Sequence, residues 1–231
     1  MGFRDDRGEV NRHQVENNLK LLAPLGIHDS NPSFPVKETD SGKEQLKRFL
    51  ADYEIRTGER ILVLHPGSFS PRVRWPLERF ADIAIEAEKH GLRTALLGAG
   101  AEEELVEKVL AASGRKAMKV VNRFDLEGLV SFLKFAHVFV GNSTGPMHIA
   151  ASTGTWTLAI FGSRYPLDRH EMWRPWGPNG VVIEAEGVHC CAMPWTCADM
   201  PCLNGISVSQ VWRLVAEKMN SARLILPEQH E

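Results

Sequence analysis

From Ile61 onward the chain alternates short apolar runs with stretches of helical periodicity, a pattern that few architectures accept. Residues 61–64, 94–97, 118–121, 138–140, 157–161 and 181–183 read as strands. Between them, Phe80, Ile83, Ala84 and Ala87 make an i, i+3, i+4, i+7 stripe in a helix that opens at Pro76 and stops at Gly91. Residues 102–112, 126–135 and 208–219 read as further helices. Strands this short and this apolar need cover on both faces, which a parallel sheet between two helical layers provides. Right-handed crossovers then predict an α/β fold, a doubly wound parallel-sheet Rossmann-like domain over residues 58–220. Residues 1–57 read as a helical linker segment, with Val15, Leu19 and Leu22 at helical spacing. A proline-containing connection follows over 29–40, and then a helix from Ser41 that carries Leu46, Phe49 and Leu50 on one face. Residues 221–231 read as a tail.

Ligands of such sheets sit beyond the carboxyl ends of the strands, so the loops there carry the functional weight. The most informative is the run Val138 to Ala151, an apolar strand that breaks at Gly141-Asn142-Ser143-Thr144-Gly145 and restarts as a helix at Pro146. Gly145 would free the backbone for tight geometry, and Pro146 suits a first-turn position where its missing N–H goes unneeded. Backbone amides and the positive end of the dipole, flanked by the Ser143 and Thr144 hydroxyls, suit a phosphate or diphosphate. His148, one turn in, could face the same crevice. The plainer alternative is an ordinary strand–loop–helix connection with a capping hydroxyl.

A second loop, His65-Pro66-Gly67-Ser68 followed by Arg72-Val73-Arg74-Trp75-Pro76, sets Ser68 and two guanidiniums beside a helix start. Arg72 and Arg74 can pair with diphosphate oxygens, or they can belong to a solvated basic loop. After the next strand, Gly98-Ala99-Gly100-Ala101-Glu102 places an acid where it complements a helix start. Trp173 and Trp176, with Arg169 and Arg174, could line the cleft or close the domain.

The 231 residues are 43% hydrophobic and 24% charged, ordinary for a globular chain with a sizeable core. A net charge of -2 argues against broad binding to nucleic acid. No apolar run is long enough for a membrane span and no signal peptide is visible, so the cytoplasm is the expected compartment. Cys190, Cys191, Cys197 and Cys202 cluster without the spacing of paired CxxC ligands. Reduced structural cysteines, a disulfide and a metal site all stay open for them, and no metal is expected at the main site.

The run Gly141-Asn142-Ser143-Thr144-Gly145-Pro146-Met147-His148, with the strand ending in Phe161-Gly162, closely resembles the nucleotide-binding signature of the ADP-heptose:lipopolysaccharide heptosyltransferases, glycosyltransferase family 9. The His-Pro-Gly loop leading to Arg-Trp-Pro, the Gly98 to Glu102 turn and Cys202-Leu203-Asn204-Gly205-Ile206 are similar to that family too. The resemblance implies the carboxy-terminal half of a B-type glycosyltransferase fold, inverting, with ADP-heptose as donor and lipopolysaccharide core as acceptor. It also brings an expectation of peripheral association with the inner membrane. It gives Glu102 the ribose hydroxyls and Phe124 the adenine, whereas the residues alone would make Phe124 a core side chain. At the position of the family's phosphate-binding lysine stands Val73, which leaves Arg72 or Arg74 to supply the charge. The amino-terminal acceptor half and its carboxylate base find no counterpart here. The polypeptide alone is therefore expected to bind nucleotide weakly and transfer no sugar, and no catalytic residue is assigned. A non-catalytic nucleotide-binding module, a subunit of a split enzyme, an epimerase and another nucleotide-sugar transferase are the alternatives.

Overall fold

The computed structural model describes residues 12–28, 32–162, 170–188, 197 and 199–223. Its strands are β1 (Ile61–His65), β2 (Arg93–Gly98), β3 (Met118–Val121), β4 (Val138–Asn142), β5 (Trp156–Ile160) and β6 (Gly180–Ile183). They form one sheet in the order β3-β2-β1-β4-β5-β6, with every neighbouring pair parallel. The helices are α1 (Gln14–Lys20), α2 (Asp40–Asp52), α3 (Leu77–Lys89), α4 (Glu103–Ala112), α5 (Leu126–Phe135), α6 (Gly145–Ser152), α7 (His170–Trp173), α8 (Pro201–Asn204) and α9 (Val208–Arg223).

Successive residues of a strand point to opposite faces, and β1 shows why its whole run is apolar. Leu62 and Leu64 enter one layer with Phe80 and Ile83 of α3, Val106 and Val109 of α4 and Val215 of α9. Ile61 and Val63 enter the other, with Phe49 of α2, Phe132 and Leu133 of α5, and Met147 and Ala150 of α6. All five residues of β1 are buried. This is the α/β doubly wound arrangement that the alternating pattern predicts.

Two boundaries differ from the sequence expectation. The expected linker, residues 1–57, contributes α2 to the domain itself. Its apolar stripe needs burial, so Phe49 packs among Phe124, Phe132 and Tyr53 at ring separations of 4.8–5.2 Å. The approach to α5 is close enough that a Cβ on Gly42 would lie 2.4 Å from the Glu127 carbonyl. At the other end α9 continues to Arg223 rather than stopping at Met219, so part of the expected tail is helical.

The chain leaves β1 outward to β2 and β3, then returns to place β4 on the other side of β1. The carboxyl ends of β1 and β4 flank the point where the order reverses, and a crevice must open there. His65 and Gly141 are register partners at this position.

Candidate functional site

Asn142, the last residue of β4, holds the loops at this crevice. Its side chain is wholly buried and fully used. Oδ1 accepts from the Trp75 amide at 2.9 Å, and Nδ2 donates to the Pro66 and Gly67 carbonyls at 3.1 and 3.0 Å. Trp75, itself fully buried, donates from Nε1 to the Ile206 carbonyl at 3.0 Å, and Arg79 donates to the same oxygen. The Cys202 to Ile206 string thus anchors the start of α3 behind the site. Replacing Asn142 with alanine would strand three buried backbone groups, each worth about 1–3 kcal/mol when unpaired. Asn142→Ala is expected to cost roughly 3 kcal/mol or more in urea unfolding, and a loss under about 1 kcal/mol would show that the loop is held by something else.

Around this knot lies a cavity of about 740 Å³, lined by His65, Ser68, Phe69, Arg74, Glu102, Asn122, Arg123, Phe124 and Ser143 to Pro146 among others. Thr144 precedes α6 in extended conformation, yet its hydroxyl makes no cap bond and leaves the first-turn amides uncovered. The hydroxyl instead lies 3.3 Å from both His65 Nδ1 and the Asn142 carbonyl. His65 is 2% exposed, and its Nε2 lies 3.3 Å from Glu102 Oε2. Glu102 also accepts from the Ala99 amide at 2.9 Å. The hydrogen bond from His65 holds the Glu102 carboxyl below the usual carboxylate range. The Ala99 amide and the charges of His65 and Arg74 act the same way, and burial only partly opposes them. Burial pushes Arg74 down from its ordinary value, against the pull of Glu102; a guanidinium keeps its charge regardless. Arg74 Nε is buried with no hydrogen-bond partner among the described residues, and one terminal nitrogen reaches only the Ser68 carbonyl at 3.4 Å.

Two glycines show how close the parts come. A Cβ on Gly67 would lie 1.8 Å from Glu102 Oε1, so any other residue there would push the carboxylate aside. Gly145 is the opposite case. Its φ is not in the left-handed region and a Cβ there would meet nothing within 4 Å. The tight backbone geometry expected of Gly145 is therefore not what this residue provides; it keeps space free at the mouth of α6.

Of the residues singled out from the sequence, Ser68, Arg74, Glu102, Phe124, Ser143, Thr144 and Gly145 line this one cavity. Phe124 serves in both senses considered for it. It stacks on Phe132 at 5.1 Å in the core while also lining the cavity. The Ser68 hydroxyl donates to the Ser70 carbonyl at 2.7 Å. Arg72 lies outside the lining, exposed on a 3-10 turn (Pro71–Val73). His148 also departs from expectation. An anion at the helix mouth lies along the axis, whereas a side chain one turn in radiates sideways. His148 accordingly approaches Trp173, with ring centroids 6.4 Å apart, and lines a separate cavity of about 700 Å³ with His13, Phe34, Trp173 and Trp176. That second cavity is mainly apolar and aromatic. Burial, with a contribution from His13, pushes His148 below the usual histidine range.

His65, Phe69, Asn122 and Arg123 also line the first cavity and were not singled out as site residues from the sequence. His65 was legible only as part of a string, though its place at the end of a central strand was a usable signal. Phe69 is 70% exposed at the rim. Asn122 adopts φ 51°, a left-handed conformation that asparagine tolerates, and a Cβ on Gly100 would lie 2.9 Å from its Nδ2. Cys202 is buried in the apolar layer; Cys190, Cys191 and Arg169 lie outside the described residues. No group of three or more His, Cys, Asp or Glu that could hold a metal occurs among the described residues. No described helix is long and apolar enough to cross a membrane.

The same arrangement of strands and loops recurs in known proteins. A lipooligosaccharide heptosyltransferase 2 of Campylobacter jejuni is 34% identical over 154 residues, 64% of this chain and 44% of the relative. The chain spans about half the length of the curated relatives it matches. A glycosyl transferase family 9 structure from Veillonella parvula superposes with a TM-score of 0.79 at 23% identity, covering 94% of this chain and 62% of that one. The Escherichia coli heptosyltransferase WaaC with ADP superposes at 0.60 and 20% identity, over 90% of this chain and 57% of the other; at such identities these structures attest the fold. The family model described as glycosyltransferase family 9 (heptosyltransferase) matches residues 4–195. With that span of the sequence matched, the chain belongs to glycosyltransferase family 9.

Proposed function

We propose that this chain is the donor-binding half of a heptosyltransferase that transfers heptose from ADP-heptose to the lipopolysaccharide core. One observation carries the reading. The uncovered start of α6, with open space at Gly145, shares a cavity with a guanidinium whose Nε is buried and unpartnered. A buried donor left unpaired costs about 1–3 kcal/mol, and a ligand oxygen would remove that cost. That the Escherichia coli heptosyltransferase WaaC was seen with ADP supports ADP as the nucleotide. In this reading the diphosphate meets Arg74 and the α6 amides, ribose hydroxyls meet Glu102, and the base lies against Phe124.

In an inverting transfer the acceptor oxygen attacks the anomeric carbon and the bond to the diphosphate breaks. The acceptor's proton must go to a base within hydrogen-bond reach, and no residue of this chain is assigned that task. Arg74, the amides and the helix dipole would carry the charge that develops on departing ADP. No metal is assigned a part: the carboxylate in the cavity, Glu102, is already bonded to His65 and Ala99. A lipid-linked acceptor would bring this cytoplasmic protein to the inner membrane surface as a peripheral partner. Calorimetric titration with ADP, UDP and GDP tests the donor. ADP should bind most tightly, and a preference for UDP would remove the heptose assignment.

A further inference from the structure

We infer that Phe69 is a specificity-determining residue, the surface on which the sugar of the donor rests. This rests on the diphosphate reading above and extends it past the second phosphate. The sheet order β3-β2-β1-β4 sets the donor's parts in sequence: Phe124 follows β3, Glu102 follows β2, and the His-Pro-Gly loop leaves β1. Within that loop the same order continues. Gly67 lies against the Glu102 carboxylate, which takes the ribose in that reading. Next, the Ser68 carbonyl accepts from a terminal nitrogen of Arg74 at 3.4 Å, so the peptide joining Ser68 to Phe69 lies against the diphosphate cation. Phe69 is one residue further, on the rim of the same cavity. A nucleoside diphosphate alone ends at Arg74 and the α6 amides. A nucleoside diphosphate sugar adds one group beyond them, and Phe69 is the next side chain along the loop.

The ring is presented to solvent rather than packed. It is 70% exposed, and it stacks on no other ring among the described residues. An apolar side chain left in water gains from a ligand that covers it. The loop is tied on both sides of this residue. Asn142 donates to the Pro66 and Gly67 carbonyls, the Ser68 hydroxyl donates to the Ser70 carbonyl at 2.7 Å, and the Ser70 hydroxyl accepts from the Arg72 amide at 3.3 Å. Little ordering of the backbone is left to oppose binding. A pyranose suits such a ring. One of its faces carries mostly C–H bonds, slightly positive, while an aromatic face is slightly negative. A phosphate does not suit it, because the same face repels an anion. The base has its own platform in Phe124, two strands away.

Calorimetry of the full chain with ADP and with ADP-heptose separates the sugar from the rest of the donor. Phe69→Ala should weaken ADP-heptose about tenfold and change ADP by less than about twofold. Phe69→Tyr, which keeps the ring face, should bind ADP-heptose like wild type. In proton NMR, heptose C–H signals over the ring should move upfield on binding wild type and lose that shift with Phe69→Ala. The shift on wild type is a readout that stands even if a variant fails to fold. Equal weakening of both ligands would put the ring on the nucleotide, and no weakening of either would leave it touching no part of the donor. Each of these results overturns the inference while the diphosphate site stands. Failure of folded wild type to bind ADP at all would remove both.

Discussion

Arg74→Ala should weaken ADP binding by about thirtyfold or more, the largest loss from any single side-chain truncation in the cavity. Removing one member of a buried charged pair costs about 2–5 kcal/mol, and the lower end of that range is a factor near thirty. The helix dipole of α6 contributes about 0.3–1 kcal/mol when exposed and about 2 kcal/mol in favourable partly buried geometry, so the guanidinium outweighs it. Folding should hardly suffer. Arg74 carries an unpartnered Nε and one long contact to the Ser68 carbonyl, so little native bonding is lost with it. Arg74→Lys should recover only part of the affinity, because an ammonium cannot match the planar fork. Calorimetry alongside a thermal melt checks both halves, and a change in ADP affinity below about threefold would show that the diphosphate is held elsewhere.

Gly145→Val should abolish measurable ADP binding without disturbing the fold. Its φ suits any residue and a Cβ meets nothing within 4 Å, so the side chain has room in the unliganded protein. The room it takes is the approach to the α6 amides. Glycine also carries a helix-propensity cost relative to most residues, so the melting temperature should stay level or rise slightly. A variant that melts like wild type yet binds ADP equally well would mean that the open space has no ligand in it. Gly67 offers no such separation, since a Cβ there would strike Glu102 and disturb the site directly.

The sheet was legible because each strand is a short apolar run closed by a turn residue and followed by a helix with a clear stripe. Periodicity is local, and local order is what a single sequence exposes. The Gly141 to Pro146 string was equally readable, since one strand end and one helix start supply it. What escaped notice depends on contacts between distant parts of the chain. Asn142 bonds to groups 67, 75 and 76 residues away, and nothing in its own neighbourhood announces that. His65 gains its interest from Glu102 and Thr144, which other strands and loops deliver. Arg72 and His148, which lie outside the lining of the first cavity, came from readable motifs, but the direction of a side chain from a 3-10 turn or a helix depends on what packs beside it. The helices over residues 40–52 and 126–135 were both visible, while the packing of one against the other was not, so a core element read as part of a linker.

The central claim is that a diphosphate sits at the opening of α6, facing Arg74. A crystal structure of this chain with ADP tests it most directly. The account predicts phosphate oxygens within hydrogen-bond distance of the Gly145 amide, the Thr144 hydroxyl and the Arg74 guanidinium, with the ribose against Glu102. ADP seated in the aromatic cavity beside His148, or bound with Arg74 Nε still unpartnered, would contradict it.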